Sequence, residues 1–250
     1  MVRRLLEAGL NVIAFNRTHR EEHRSLVEAG MRWADSPSAV AAMCPIVLVC
    51  VTDSDAAQSV ALGENGYVCG LGSTCPCLVI CDVSTISPSV SQSIAARVAA
   101  TGCTYLETPF SGSHISVEQH KGAFMVGGHV EAFHIVQPLL MHIAPRATYV
   151  GSNGMALSMK IAVNLNLSAQ MIAFSESVLL AERSGIPKDV AIEVLCNCAI
   201  SSPMIQVKFL SASHKSLRLT LIPNHNAAKQ NLNSIEALWF FKKRRKLFSI

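Results

Sequence analysis

The 250 residues are 50% hydrophobic and 15% charged, with a formal net charge of +4. That length gives ample core for one large domain or two smaller ones, and no apolar run reaches the roughly 18 residues that span a bilayer. Lys242, Lys243, Arg244, Arg245 and Lys246 supply five of the positive charges, which leaves −1 on the rest of the chain. The body is therefore not a nucleic-acid surface, and the basic excess belongs to the tail. Nine cysteines at irregular spacing include two C-x-C pairs, Cys75-Pro76-Cys77 and Cys196-Asn197-Cys198, rather than the C-x-x-C pairs of zinc sites. Cys50, Cys81 and Cys103 lie in apolar, strand-like runs where a thiol acts as a small hydrophobe. Free structural thiols, no metal and a reducing, cytoplasmic setting are expected.

Met1-Val2-Arg3-Arg4 passes at once into Leu5-Leu6-Glu7-Ala8-Gly9, which reads as a helix end and not as a signal peptide. Residues 11–15 fit a short buried strand, and a polar helix then runs to Ala29 and stops at Gly30. Residues 31–34 form the next strand. Ser36-Pro37 opens a helix with Ser as N-cap and Pro in the first turn. Residues 46–51, Ile-Val-Leu-Val-Cys-Val, have the continuous apolar pattern of a parallel strand covered on both faces. The alternation recurs: a strand at 78–81, a helix from Ser87-Pro88 to Thr101, a strand at 103–107. Strands alternating with helices predict an α/β, doubly wound parallel sheet of Rossmann type over 1–150. Helix takes over after Val150, so a helical domain is expected over 151–205, and 206–250 reads as a divergent, disordered tail.

The longest apolar-periodic run is 155–184, without Pro or Gly, closed by Gly185 and Pro187. It predicts a helix about 45 Å long. Lys160 and Asn164 fall on one face of it, an ammonium and a carboxamide among Met159, Ile161, Ala162, Val163 and Leu165. A solvated stripe is the bland alternative, but Asn is a poor residue for a helix interior, which points to a site. Polar clusters stand at successive strand ends: Asn16-Arg17-Thr18, Thr52-Asp53-Ser54-Asp55, Asp82-Val83-Ser84-Thr85 and Thr108-Pro109-Phe110-Ser111-Gly112-Ser113. Doubly wound sheets bind ligands there. In a dinucleotide fold the residue closing the second strand selects the cofactor; a carboxylate suits NAD, and an Arg suits the 2′-phosphate of NADP. Asn16-Arg17-Thr18 offers a guanidinium and no carboxylate, which favours NADP over NAD, although Thr18 would also serve as a helix N-cap. The strand and Gly-x-Gly-x-x-Gly turn that open such a domain have no counterpart before Asn11, so the sheet is expected to lack its first strand. The flanking strands, 11–15 and 46–51, should then be either separated by a strand-wide gap or collapsed together.

On these motifs the chain resembles the β-hydroxyacid dehydrogenases, the group of 3-hydroxyisobutyrate dehydrogenase and glyoxylate/succinic semialdehyde reductase. The resemblance covers about residues 1–203. It rests on Asn16-Arg17-Thr18, on Asp82-Val83-Ser84-Thr85 with Pro88, and on Ser111-Gly112-Ser113. Met125-Val126-Gly127-Gly128, Gly151-x-x-Gly154, and Lys160 with Asn164 complete it. It implies that Lys160 is the acid/base, that Ser111, Gly112 and Ser113 hold a substrate carboxylate, and that Asn164 orients the substrate. It also implies that Ser84 and Thr85 line the nicotinamide pocket, with Val51 and Thr52 on the ribose side. Val163 occupies the position where the related 6-phosphogluconate dehydrogenases carry a His, which argues against a phosphorylated sugar acid. Lys160 itself separates the chain from the similar imine reductases. The implied partner is a small carboxylic acid, with no nucleic acid and no membrane, and the whole family forms homo-oligomers. His114, beside the substrate loop, is expected to be an ordinary loop residue. Because the glycine turn is missing and the end diverges, the chain is expected to be shortened at both ends. The alternative to an enzyme is a dehydrogenase-derived scaffold without catalysis.

Overall fold

A computed structural model describes residues 1–18, 21–72, 77–202 and 205. The expected tail at 206–250, and Cys75, lie outside the described residues. By its internal contacts the chain divides into two compact units, Met1–Val163 and Asn164–Ile250.

The first unit alternates helix and strand: α1 (Val2–Glu7), β1 (Ile13–Ala14), α2 (Arg24–Glu28), β2 (Arg32–Trp33), α3 (Pro37–Met43), β3 (Ile46–Val49), α4 (Ser54–Leu62), β4 (Val79–Asp82) and α5 (Pro88–Ala99). β5 (Thr104–Glu107), β6 (Phe110–Ser111), α6 (His114–Glu118), β7 (Ala123–Gly127), α7 (Val130–Ile143) and β8 (Ala147–Gly151) follow, and α8 (Met155–Arg183) begins there. Local chemistry sets several of these boundaries. Ser36 caps α3 by accepting the Ala39 N–H at 3.1 Å, with Pro37 in the first turn. Asp53 does the same for α4 through the Ala56 N–H at 2.8 Å. Ser87 stands at the N-cap of α5 without a side-chain capping bond.

β3, β4 and β5 pair in parallel, register Val47↔Ile80 and Ile80↔Tyr105, while β7 runs antiparallel to β5 and β6 and parallel to β8. The six-stranded order is β3-β4-β5-β7-β6, with β8 on β7. β1 and β2 pair in parallel as a separate two-stranded sheet. Among the described residues no ladder joins β1 to β3, so the two strands have not collapsed onto each other, and the sheet is interrupted between them.

Two clusters sandwich the larger sheet, one around Ile80, Ile94, Val98, Tyr105 and Leu157, the other around Cys81, Leu106, Phe124, Val126 and Leu140. The strand pleat divides them: Ile80 and Cys81 point to opposite faces. Cys81 and Cys103 are buried, as their apolar runs predict, but Cys50 is exposed because β3 ends at Val49 and the thiol lies past the ladder.

In the second unit α8 continues and α9 (Lys188–Asn197) follows. Gly185, at φ +85°, ends α8, and the N–H groups of Gly185 and Ile186 bond back to Glu182 and Ala181. Phe174, Val178, Ile192, Cys196 and Ile205 form this unit's core. Among the described residues no helix is long and apolar enough to cross a membrane, and no group of three side chains could hold a metal ion.

Candidate active site

The polar strand ends are joined by hydrogen bonds that start in the sheet. Asp82, the last residue of β4, is buried; its carboxylate accepts the Ser84 N–H at 2.8 Å and the Tyr105 hydroxyl at 2.8 Å. Ser84 is buried as well, and its Oγ accepts the Val51 N–H at 2.9 Å. Val51 and Ser84, both expected beside the cofactor, are thus fastened to each other at the carboxyl ends of β3 and β4. The Ser84 hydroxyl accepts that bond through its oxygen and keeps its own O–H as a donor. Thr85 and Thr52 are exposed, the latter with its hydroxyl donating to Asp53 at 2.7 Å. Asn16, Arg17 and Thr18 are exposed beyond β1.

Burial pushes the Asp82 carboxyl above the usual carboxylate range, against the opposing pull of Ser84 and Tyr105. A folded-state value above the unfolded one gives stability that is complete below the unfolded value and is lost as pH rises through the folded one. Unfolding stability should therefore fall as pH rises above the unfolded carboxyl value of about 4, and Asp82→Asn should flatten that fall. Glu107 shifts in the same direction for the same leading reason, so the slope is reduced and not abolished. Chemical denaturation across this range checks it; parallel curves for the two proteins would refute the assignment.

The segment after β5 continues along β7 into the second polar cluster, keeping the register Glu107↔Gly127, Phe110↔Phe124 and Ser111↔Ala123. Lys160, half-buried on α8, donates from Nζ to the Phe110 carbonyl at 2.8 Å. Burial holds its ammonium below the ordinary lysine range. The adjacent Ser111 is half-buried in β6, and its hydroxyl makes no hydrogen bond among the described residues. Gly112 takes φ +154°, and a Cβ there would lie 2.6 Å from the Phe110 ring. Ser113 is engaged otherwise: it is the N-cap of α6, accepting the Ser116 N–H at 3.3 Å while its own N–H donates to Ser116 Oγ at 3.1 Å. His114 is exposed in the first turn of the same helix. Lys160 and Ser111 are therefore brought to one place, and the Ser113 hydroxyl is spent on a cap. Asn164 belongs to the second unit, where it is exposed and its carbonyl accepts the Ser168 hydroxyl at 2.9 Å.

Sequence reasoning passed over Glu107, Ser91 and Tyr105. Glu107 is 1% exposed, and Ser91 Oγ donates to its Oε1 at 2.6 Å. The available signal was a carboxylate closing an otherwise apolar strand, a costly placement without partners.

A parallel-rich sheet with helices on both faces, polar groups at successive strand ends and an amine brought to one of them define a Rossmann-type fold of the kind oxidoreductases use to bind dinucleotides. Residues 1–151 match the family described as the NAD binding domain of 6-phosphogluconate dehydrogenase, and the chain belongs to that family. It is 31% identical to glyoxylate/succinic semialdehyde reductase 2, chloroplastic, of Arabidopsis thaliana, over 83% of this chain and 57% of that protein. It is 30% identical to glyoxylate/succinic semialdehyde reductase 1 of the same plant, over 85% of this chain and 72% of that protein. The chain thus spans 57% of the length of the first of these relatives. Among solved structures, Psf3 in complex with NADP+ and 2-OPP superposes with a TM-score of 0.75 at 27% identity, covering 84% of this chain and 73% of that one.

Proposed function

We propose that the chain is built for an NADP(H)-preferring oxidoreductase that interconverts a small β-hydroxy acid and its aldehyde or keto acid, with Lys160 as acid/base. The observation that carries this reading is the Lys160 ammonium, half-buried and bonded to the carbonyl of Phe110, next to the uncommitted hydroxyl of Ser111.

The fit of a dinucleotide to these residues is partial. The exposed Arg17, with Asn16 and Thr18, suits a 2′-phosphate, and the Val51–Ser84 junction with Thr52 and Thr85 suits the nicotinamide riboside. The 250 residues hold no Gly-x-Gly-x-x-Gly turn to receive the pyrophosphate. When bound, a reduced nicotinamide supplies hydride to a carbonyl carbon. The protein's own residues do the remainder. Ser111, with the backbone of Gly112 and Ser113, holds the carboxylate. Lys160 has three donors; one is fixed by Phe110, which leaves others for the carbonyl oxygen. Reduction needs the ammonium as proton donor, and oxidation needs the neutral amine as acceptor.

The interrupted junction between β1 and β3 favours a second reading, a scaffold derived from a dehydrogenase and no longer catalytic. NADPH oxidation with glyoxylate and with succinic semialdehyde, by the wild type and by Lys160→Met, separates the two. Turnover that disappears with Lys160 supports the enzyme. A folded protein that neither oxidises nor binds NADPH supports the scaffold.

A further inference from the structure

The N-terminus of α8 is capped from a distance. The first turn of a helix leaves backbone N–H groups without helical partners, and a neighbouring side chain commonly takes them. The neighbour here, Asn153, makes no capping bond among the described residues: its Nδ2 donates to the Tyr105 carbonyl at 3.3 Å, and its backbone carbonyl accepts Gln92 Nε2 at 3.2 Å. The acceptor comes instead from β5. Glu107 Oε1 takes the Gly154 N–H at 2.6 Å, and Oε2 takes the Leu157 N–H at 3.4 Å. Gly154 presents that N–H from φ +98°, a conformation L side chains rarely adopt. Ser91 on α5 braces Oε1 from the other side at 2.6 Å. A carboxylate at a helix N-terminus also meets the positive end of the helix dipole.

The same short stretch grips α8 a second time. Phe110, three residues beyond Glu107, supplies the carbonyl that binds Lys160 Nζ. Lys160 in turn stands three residues beyond Leu157, about 4.5 Å further along the helix. The side chain at 107 thus holds the first turn of α8, and the carbonyl at 110 receives the amine that follows it.

We propose that Glu107 is a positioning residue for Lys160: its carboxylate, locked onto the Gly154 and Leu157 N–H groups, fixes where the amine meets the Phe110–Ser111 segment. The proposal rests on Lys160 being the acid/base group. Glutamine at 107 keeps the shape, but its amide nitrogen cannot accept a hydrogen bond, so one contact to α8 or Ser91 is lost.

The test is an NMR titration of isotope-labelled lysine in the 250-residue protein, with the Lys160 resonance assigned by its loss in Lys160→Arg. In the wild type Lys160 should titrate below the exposed lysines, because burial is the cause of its lowered value. In Glu107→Gln its midpoint should move up toward theirs as the released amine gains access to water and its burial is relieved. Glu107→Asp should fall between the two, a graded rescue that loss of packing alone would not produce. Ser91→Ala removes a brace from Oε1 without touching α8 and should shift Lys160 in the same direction by less; it stands in if Glu107→Gln does not fold. A folded Glu107→Gln, or a folded Ser91→Ala in its place, with an unmoved Lys160 overturns the inference and leaves the acid/base reading intact. A wild-type Lys160 that titrates with the exposed lysines overturns both.

Discussion

Lys160→Met should lower NADPH-dependent reduction of glyoxylate or succinic semialdehyde by roughly a hundred- to ten-thousand-fold, the usual worth of a positioned general acid. The thioether fills the space of the lysine stem, so the loss reports the proton donor more than packing. Steady-state kinetics should place the loss in kcat, with KM nearly unchanged, because the substrate carboxylate is held by Ser111 and its neighbours. The pH profile follows from the direction of the shift. Burial lowers the Lys160 value, so the protonated fraction, and with it the reduction rate, declines at a pH below that of an ordinary lysine. Oxidation of the hydroxy acid should rise over the same range. Lys160→Arg, which cannot lose its proton in that range, should abolish the alkaline limb. A profile that is unchanged in Lys160→Arg would remove Lys160 from the chemistry.

Arg17→Asp should exchange the cofactor preference. A guanidinium on a phosphate is worth about 1.5–3 kcal/mol, so NADPH affinity should drop by roughly ten- to a hundred-fold. NADH, which carries a 2′-hydroxyl that a carboxylate can accept from, should hold its affinity or gain. Fluorescence titration with both nucleotides measures this. The ratio is the readout, since the two nucleotides differ only at the ribose 2′ position. An equal change in both would mean that Arg17 acts on the fold around β1 and not on the phosphate.

The order of strands and helices was legible because each buried strand is a continuous apolar run bounded by a cap or a glycine. Residues 46–51 and 78–81 needed nothing beyond that pattern, and the structure places strands there one or two residues displaced. β6 was not legible. Phe110-Ser111 is two residues long and exists only because β7 runs antiparallel beside it. α7 was hidden by Pro138, which reads as a breaker yet lies inside the helix. The site was legible by residue type but not by commitment. Nothing in the sequence distinguishes Ser111, whose hydroxyl is without a partner among the described residues, from Ser113, whose hydroxyl closes a capping box with Ser116. Ser84 was expected to line the nicotinamide pocket, and the bond its oxygen accepts from the Val51 N–H, 33 residues away, has no local signature either. Glu107 escaped notice because its partners on α8 lie 47 and 50 residues away. No local pattern encodes so distant a contact.

A crystal structure with a small hydroxy-dicarboxylate such as tartronate bound tests the central claim most directly. The hydroxyl oxygen should lie at about 3 Å from Lys160 Nζ, with one carboxylate on Ser111 and the backbone of Gly112 and Ser113. A ligand bound elsewhere, with the amine still on Phe110 and no substrate oxygen within reach, would contradict it.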